Sequence, residues 1–376
     1  MIPRLGYVLL TLAASISLAT AQGLTRIENP EEPKYIDEDK SLDKLLESTQ
    51  NSFLYTQSLS PDQTLLFGAD VYTRSEMIDS LKMIIDFLKD RPDAQAFNSF
   101  LHAHFLAYRA PNDVLFSSYY VHSLKASLAK TDQFHYPIYA RPKDLVERGG
   151  SIGRISDGRL IPYFTRRAID SEHALANQGL EIAWADNPLD VLFLQIQGSG
   201  FIETPQGKRY HIRYAGNNGK PYSSVGKTII QSGAIAQQQF SRSLMIQYLN
   251  SLEEKKRQEI LNTNERYIFF ELMPASTPVR GSLKVPLTPE RSIASDPKIY
   301  PPGALAFIQT QQPKLDASNI PVSTQPLNRF VFNQDEGGAI KGESRIDYFA
   351  GEGKRAETFA QNMWYKGTLY FFIKKK

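Results

Sequence analysis

The sequence predicts a mainly β protein with flanking α-helices. Three observations carry that expectation. From Asp113 onward the chain breaks into short apolar runs of strand length, rich in aromatic and β-branched residues and separated by Gly, Asn and Pro. Helical periodicity is concentrated before Tyr108 and between residues 224 and 264, with short helices near Ser171–Asn177 and Arg355–Met363. Pro274 to Pro289 contains four prolines and reads as a segment crossing between domains. With 376 residues, the chain is long enough for two or three domains.

In chain order, residues 1–21 have the form of a secretory signal peptide. Arg4 gives the positive start, an apolar run continues to Leu18, and Ala19-Thr20-Ala21 supplies a small-x-small cleavage site. The run is short for a membrane span. Residues 22–40, rich in Pro, Glu and Asp, read as a flexible lead-in. Thr73-Arg74-Ser75-Glu76 has the form of a capping box, and Met77, Leu81, Ile84, Ile85 and Leu88 then line one helical face as far as Arg91-Pro92. A second helix is expected over Ala94–Tyr108. Extended runs follow at Val114–Tyr120 and at Phe134–Tyr139, where Pro137 suits an edge. A short helix is expected at Ser171–Asn177, stopped by Gly179. Val191–Gly200 reads as a strand, with its end alternating apolar and amide residues. A hairpin around Gln206-Gly207 and a strand to Tyr214 come next. The charge run Glu253–Arg257 reads as solvated surface. Strands are expected again at Tyr267–Phe270, Ala304–Thr310, Phe330–Asn333, Arg345–Phe349 and Thr368–Ile373.

Composition narrows the chemistry. The net charge of +3 carries no basic stripe, so a nucleic-acid partner is not expected. The chain has no cysteine, which excludes disulfides, thiolate metal sites, a cysteine nucleophile and a lipid anchor on cysteine. Six histidines with no His-x-x-x-His pair give a metal site little to build on, and no metal or cofactor is expected.

The stretch from Gln334 to Gly353 holds the densest chemistry. Asp335 and Asp347 stand twelve positions apart with Gly337, Gly338 and Gly342 between them, flanked by apolar runs of strand character. Acids at strand ends ringed by glycine turns can be held in a cleft; the same pattern also serves plain turns.

Several segments together resemble one family, the MltA-type lytic transglycosylases that cut bacterial peptidoglycan. They are Phe134-His135-Tyr136-Pro137-Ile138-Tyr139, Leu194–Gly200, Tyr214–Gly219, Val285-Pro286-Leu287-Thr288-Pro289 and Gln334–Gly353, in the family's order and spanning about residues 113–373. The last segment resembles a three-aspartate module shared by several cell-wall enzymes. The resemblance implies a double-psi β-barrel domain, residues 41–120 plus 275–376, with a second β-rich domain, residues 121–274, inserted and a glycan groove between them.

It further implies cleavage of the β-1,4 bond from N-acetylmuramic acid to N-acetylglucosamine without water, giving 1,6-anhydro ends. Ordinary glycosidases use two carboxyls, whereas here one can act first as acid and then as base. Residue-by-residue matching puts that role on Asp347 and a supporting role on Asp335. A raised pKa is required, and burial among Ile346, Tyr348 and Phe349 is expected to supply it. Tyr119, Tyr120, Gln195, Gln197, Gly198, Ser199, Asn218 and Lys341 are the candidate sugar contacts. Sheet-edge and turn hydrogen bonding is the plainer role for the amides, and core packing for the tyrosines. The chain departs from the family in Ser118-Tyr119-Tyr120-Val121-His122, where Gly-Tyr-Tyr and a proline are usual, and in Glu336, where a small residue is common. The implied partner is the peptidoglycan glycan strand, met by an exported monomer in the periplasm of a Gram-negative-type bacterium, with outer-membrane or cell-wall association as the alternative to a free protein, and open to cell-wall synthesis or hydrolysis complexes. Two other readings stand beside this one. A non-catalytic murein binder would use the same scaffold. An aspartic-protease-like hydrolase is echoed by Asp335-Glu336-Gly337, although it would need a second such loop.

Overall fold

The computed structural model describes residues 23–28, 33–39 and 42–376, residue 112 excepted. The expected signal peptide and its cleavage site lie outside the described residues. Six strands, numbered along the chain, form the centre: β1 (Val114–Ser127), β2 (Ser292–Ala294), β3 (Leu305–Leu315), β4 (Pro321–Asp335), β5 (Arg345–Glu352) and β6 (Trp364–Lys374). Their hydrogen-bonded order is β6-β3-β4-β2-β5-β1, and β1 pairs back onto β6, so these strands close into a barrel. Two of the pairings, β2 with β4 and β5 with β1, are parallel. Parallel neighbours need crossover connections, and these supply the long loops over the barrel.

Strand alternation sets the faces. In β5, Ile346 and Tyr348 are buried in the barrel core with Phe116, Ile293 and Phe332, while Arg345 and Asp347 point the other way. The helix Gly353–Asn362 packs close by, with Phe359 against Tyr348. The helices Asp43–Gln57 and Arg74–Lys89 cover another side; the second begins with the expected capping box at Thr73 and Glu76.

Strand β1 runs 14 residues and leaves the barrel. Up to Val121 it pairs with β5; from His122 it pairs with Gly200–Glu203, and at its end with Glu181–Ala185. The residues between β1 and β2 thus build a second sheet with its own cores, one centred on Ile138, Leu194, Ile212 and Phe270 and another on Leu192, Ile229 and Leu249. A small cluster of Val121, Phe201, Leu287 and Phe349 joins the two parts.

Four expectations are corrected. Val191–Gln197 is not strand but the body of a helix, Pro188–Gln197: Asn187 caps it through Leu189 N, Pro188 sits at its first turn, and Gly198 ends it at φ 80°. Its apolar residues are buried on several sides, so they carry no helical period; the strand starts only at Gly200. The helix from Ala94 stops at His104, and Phe105–Arg109 is a strand beside β6. The expected helix at Ser171–Asn177 is a single turn placed earlier, at Arg167–Ser171, followed by turns with Asn177 and Gly179 at positive φ. The lead-in is not loose where described: Tyr35 and Asp37 are buried, the first among barrel aromatics and the second against Arg291.

Candidate active site

Ala294 of β2 is paired on one side with Asp335 of β4 and on the other with Asp347 of β5. Residues paired in register project from the same face of a sheet. Both aspartates therefore stand on the outer face, two strand spacings apart, about 10 Å between Cα atoms. The residue between them, Ala294, is small and buried. Ser117 is paired with Asp347 on the far side, so Asp335, Ala294, Asp347 and Ser117 form a row across four strands.

Asp347 accepts one hydrogen bond, from Ser117 Oγ to Oδ1 at 2.7 Å. Among the described residues no hydrogen bond reaches Oδ2. Ser117 is itself held by Arg345, whose Nε and Nη2 donate to its Oγ at 3.2 and 3.0 Å. Burial pushes the Asp347 carboxyl up to about 6, against the opposing pull of Ser117 and Arg345. The residue still keeps an opening to solvent. Ile346 and Tyr348 lie on the opposite face, in the barrel core, and do not shield it as expected; Tyr119, whose ring packs on Phe349, is close enough to feel the charge of Asp347.

Asp335 is bound more fully. Its Oδ1 accepts from the amides of Ser282 and Glu336 at 2.8 and 2.9 Å, and its Oδ2 accepts from Tyr119 Oη at 2.9 Å. Burial raises it to about 6 as well, with these three donors pulling it down. The two carboxyls are therefore held differently. Asp335 has donors on both oxygens, whereas Asp347 has them on one.

Tyr119 bridges the site, its ring against Phe349 at 5.1 Å and its hydroxyl on Asp335; burial and both aspartates raise its pKa well above the usual tyrosine range. Lys341 lies on the loop between β4 and β5, exposed and 4.0 Å from Glu336. Gln197, Gly198 and Ser199, partly exposed, follow one another at the end of the helix beside β1, where Gln197 Oε1 accepts from Tyr120 N. Three candidates face elsewhere and are corrected as sugar contacts. Tyr120 is buried, its hydroxyl against His122 and Glu357. Gln195 is buried on Arg166. Asn218 is buried with its amide nitrogen donating to Phe164 O and Glu265 O, while its Oδ1 accepts from Tyr267 N. All three satisfy buried polar groups, as interior amides do.

Sequence reasoning missed Ser117, Arg345, Ser282 and Asp296. Ser117 and Ser282 carry no signal of their own, because only strand pairing and a folded-back loop bring them to the aspartates. Asp296, two residues past Ala294, accepts from Gly342 N at 2.9 Å and so pins the loop bearing Lys341.

The profile of the MltA specific insert domain matches residues 115–271, and that of the 3D domain matches residues 291–372. A membrane-bound lytic murein transglycosylase A of Vibrio cholerae is 31% identical over 245 residues, 65% of this chain and 61% of the relative. The match with the enzyme of the same name from Escherichia coli K12 is 31% over 246 residues, again spanning 61% of the relative's length. A solved membrane-bound lytic murein transglycosylase from Agrobacterium tumefaciens superposes with a TM-score of 0.77 at 25% identity, covering 93% of this chain and 97% of that one. Escherichia coli MltA with bound chitohexaose has the same fold, with a TM-score of 0.70 at 23% identity, covering 95% and 96%. The barrel with its inserted domain is thus the MltA fold, a double-psi β-barrel interrupted by a second β domain.

Proposed function

We propose that this chain is a peptidoglycan lytic transglycosylase of the MltA type, with Asp347 as its acid and base. The observation that carries the assignment is the asymmetry of the two carboxyls. Both are raised to about 6, but Asp347 has its single hydrogen bond on Oδ1 and leaves Oδ2 without a donor among the described residues, whereas Asp335 has donors on both oxygens. Asp347 can hold a proton at mildly acidic pH and present it to a glycosidic oxygen.

In the first step Asp347 Oδ2 gives its proton to the bridging oxygen as the bond from C1 of N-acetylmuramic acid breaks. The leaving N-acetylglucosamine departs with a hydroxyl, and positive charge develops on the muramoyl ring. In the second step the Asp347 carboxylate takes the proton of the C6 hydroxyl as that oxygen closes on C1. The acid is regenerated and no water is consumed. Asp335, bound by three donors, fixes the Tyr119 hydroxyl beside the site. Ser117 holds the rotamer of Asp347. Gln197, Ser199 and Lys341, open to solvent, are the side chains we assign to sugar hydroxyls and acyl groups.

An aspartic-protease arrangement needs two carboxyls close enough to share a proton. Two aspartates separated by a whole strand do not meet that need. For localisation we propose export, led by residues 1–21; among the described residues no helix is long and apolar enough to cross a membrane. Purified murein digested with the protein should release 1,6-anhydro muropeptides, read by mass spectrometry. Reducing ends would mean hydrolysis, and unchanged sacculi a binding protein.

A further inference from the structure

The row of outer-face residues does not end at Ser117. On its other side Ser117 is paired with Trp364, the first residue of β6. Trp364 is 61% exposed, the most open of the large apolar side chains among the described residues. An indole costs free energy when left in water. One of its faces is covered by the Arg345 guanidinium, 4.5 Å from the ring centroid, the same guanidinium that donates to Ser117. Trp364, Arg345, Ser117 and Asp347 are thus one contiguous layer, with Trp364 two strand spacings, about 10 Å, from the acid.

We propose that the free face of Trp364 is a sugar platform, seating a further pyranose of the same glycan strand beyond the ring cleaved at Asp347. The Arg345 cation lies against the other face of the indole and fixes its orientation, while the apolar C–H face of a pyranose replaces water on the open side. Arg345 then couples the platform to the acid, because a ring seated on Trp364 rests on the guanidinium that holds Ser117. The proposal rests on the reading in which a glycan strand is cleaved at Asp347.

The chain has two tryptophans, Trp184 and Trp364. In an Asp347→Asn background, Trp184→Phe leaves Trp364 as the one indole, and purified peptide-free glycan strands are titrated while emission is read. A saturable change in Trp364 emission is expected. Trp364→Ala should weaken strand binding about tenfold and Trp364→Phe by a few-fold, the range of a single aromatic contact. In the active protein Trp364→Ala should raise KM for long strands far more than it lowers kcat. Unmoved emission at saturating strands, with binding shown by co-sedimentation, would overturn the platform. So would equal affinity of Trp364→Ala and its parent. If murein digestion yields anhydro ends while emission stays unmoved, the platform alone falls; if digestion yields none, the catalytic reading falls on its own evidence.

Discussion

Residue by residue, the proposed chemistry turns on a carboxyl that is protonated when it must be. With Asp347 raised to about 6, activity should fall as pH rises through that value, because the acid form is lost. Ser117 donates to Oδ1 and so favours the charged form. Ser117→Ala should therefore move the alkaline limb of the pH–kcat profile upward, with a modest loss of rate from the freed rotamer; a limb that stays in place would separate Ser117 from the proton. Asp347→Asn should lower release of muropeptides by at least about a thousandfold. The same variant should be more stable than the parent at neutral pH. A carboxyl whose folded pKa lies above its unfolded value binds its proton more tightly in the folded state, so its contribution to stability is lost as pH rises from about 4 through 6. The gain on replacing Asp347 by the neutral amide is about 1–2 kcal/mol at pH 7, after a discount for partial exposure, and it should vanish below about pH 4 in thermal melts.

Among the elements, two small residues keep the aspartates apart and in place. Ala294 fills the strand between them. Ala294→Leu should put a branched side chain into that gap and lower kcat/KM by about tenfold to a hundredfold, more than it lowers Tm. A Cβ on Gly281 would come within 2.5 Å of Gln334 O and 3.0 Å of Asp335 Cβ. Gly281→Ala should therefore displace the Ser282 amide from Asp335, which a shifted acid limb in the pH profile would reveal. The strands carrying the aspartates were legible in the sequence, since alternation and flanking glycines mark β5 and the end of β4. The pairing of β1 with β5 was not: Ser117 and Asp347 are 230 positions apart, and nothing local ties them. The helix Pro188–Gln197 was misread because burial on several sides erased its period, although Asn187-Pro188 is a cap and first turn written in the open. Resemblance to a family nominated Asp347, but it also nominated Tyr120, Gln195 and Asn218, whose polar groups are spent on the protein's own interior.

For the molecule as a whole, the barrel gives the site a rigid base, and β1 runs on from it into the inserted domain. The barrel is itself fastened by Arg291, fully buried, which donates to Phe330 O and pairs with Asp37 and Asp39. Arg291→Met would leave the buried Asp37 with the amides of Asp39 and Phe330 and with Arg329, 3.4 Å away, as its remaining cation among the described residues. The expected cost is about 3 kcal/mol, seen as a lowered denaturation midpoint. Such a loss would also tie residues 33–39 to the folded body. The proposed reaction has one carboxyl turn the substrate's own hydroxyl onto the sugar ring, with no water taken up. Murein digested in water enriched in the heavy oxygen isotope reports on that step without reference to any variant. Anhydro ends free of label are the expected products; label incorporated at newly formed reducing ends would show that water, not the C6 hydroxyl, is the nucleophile.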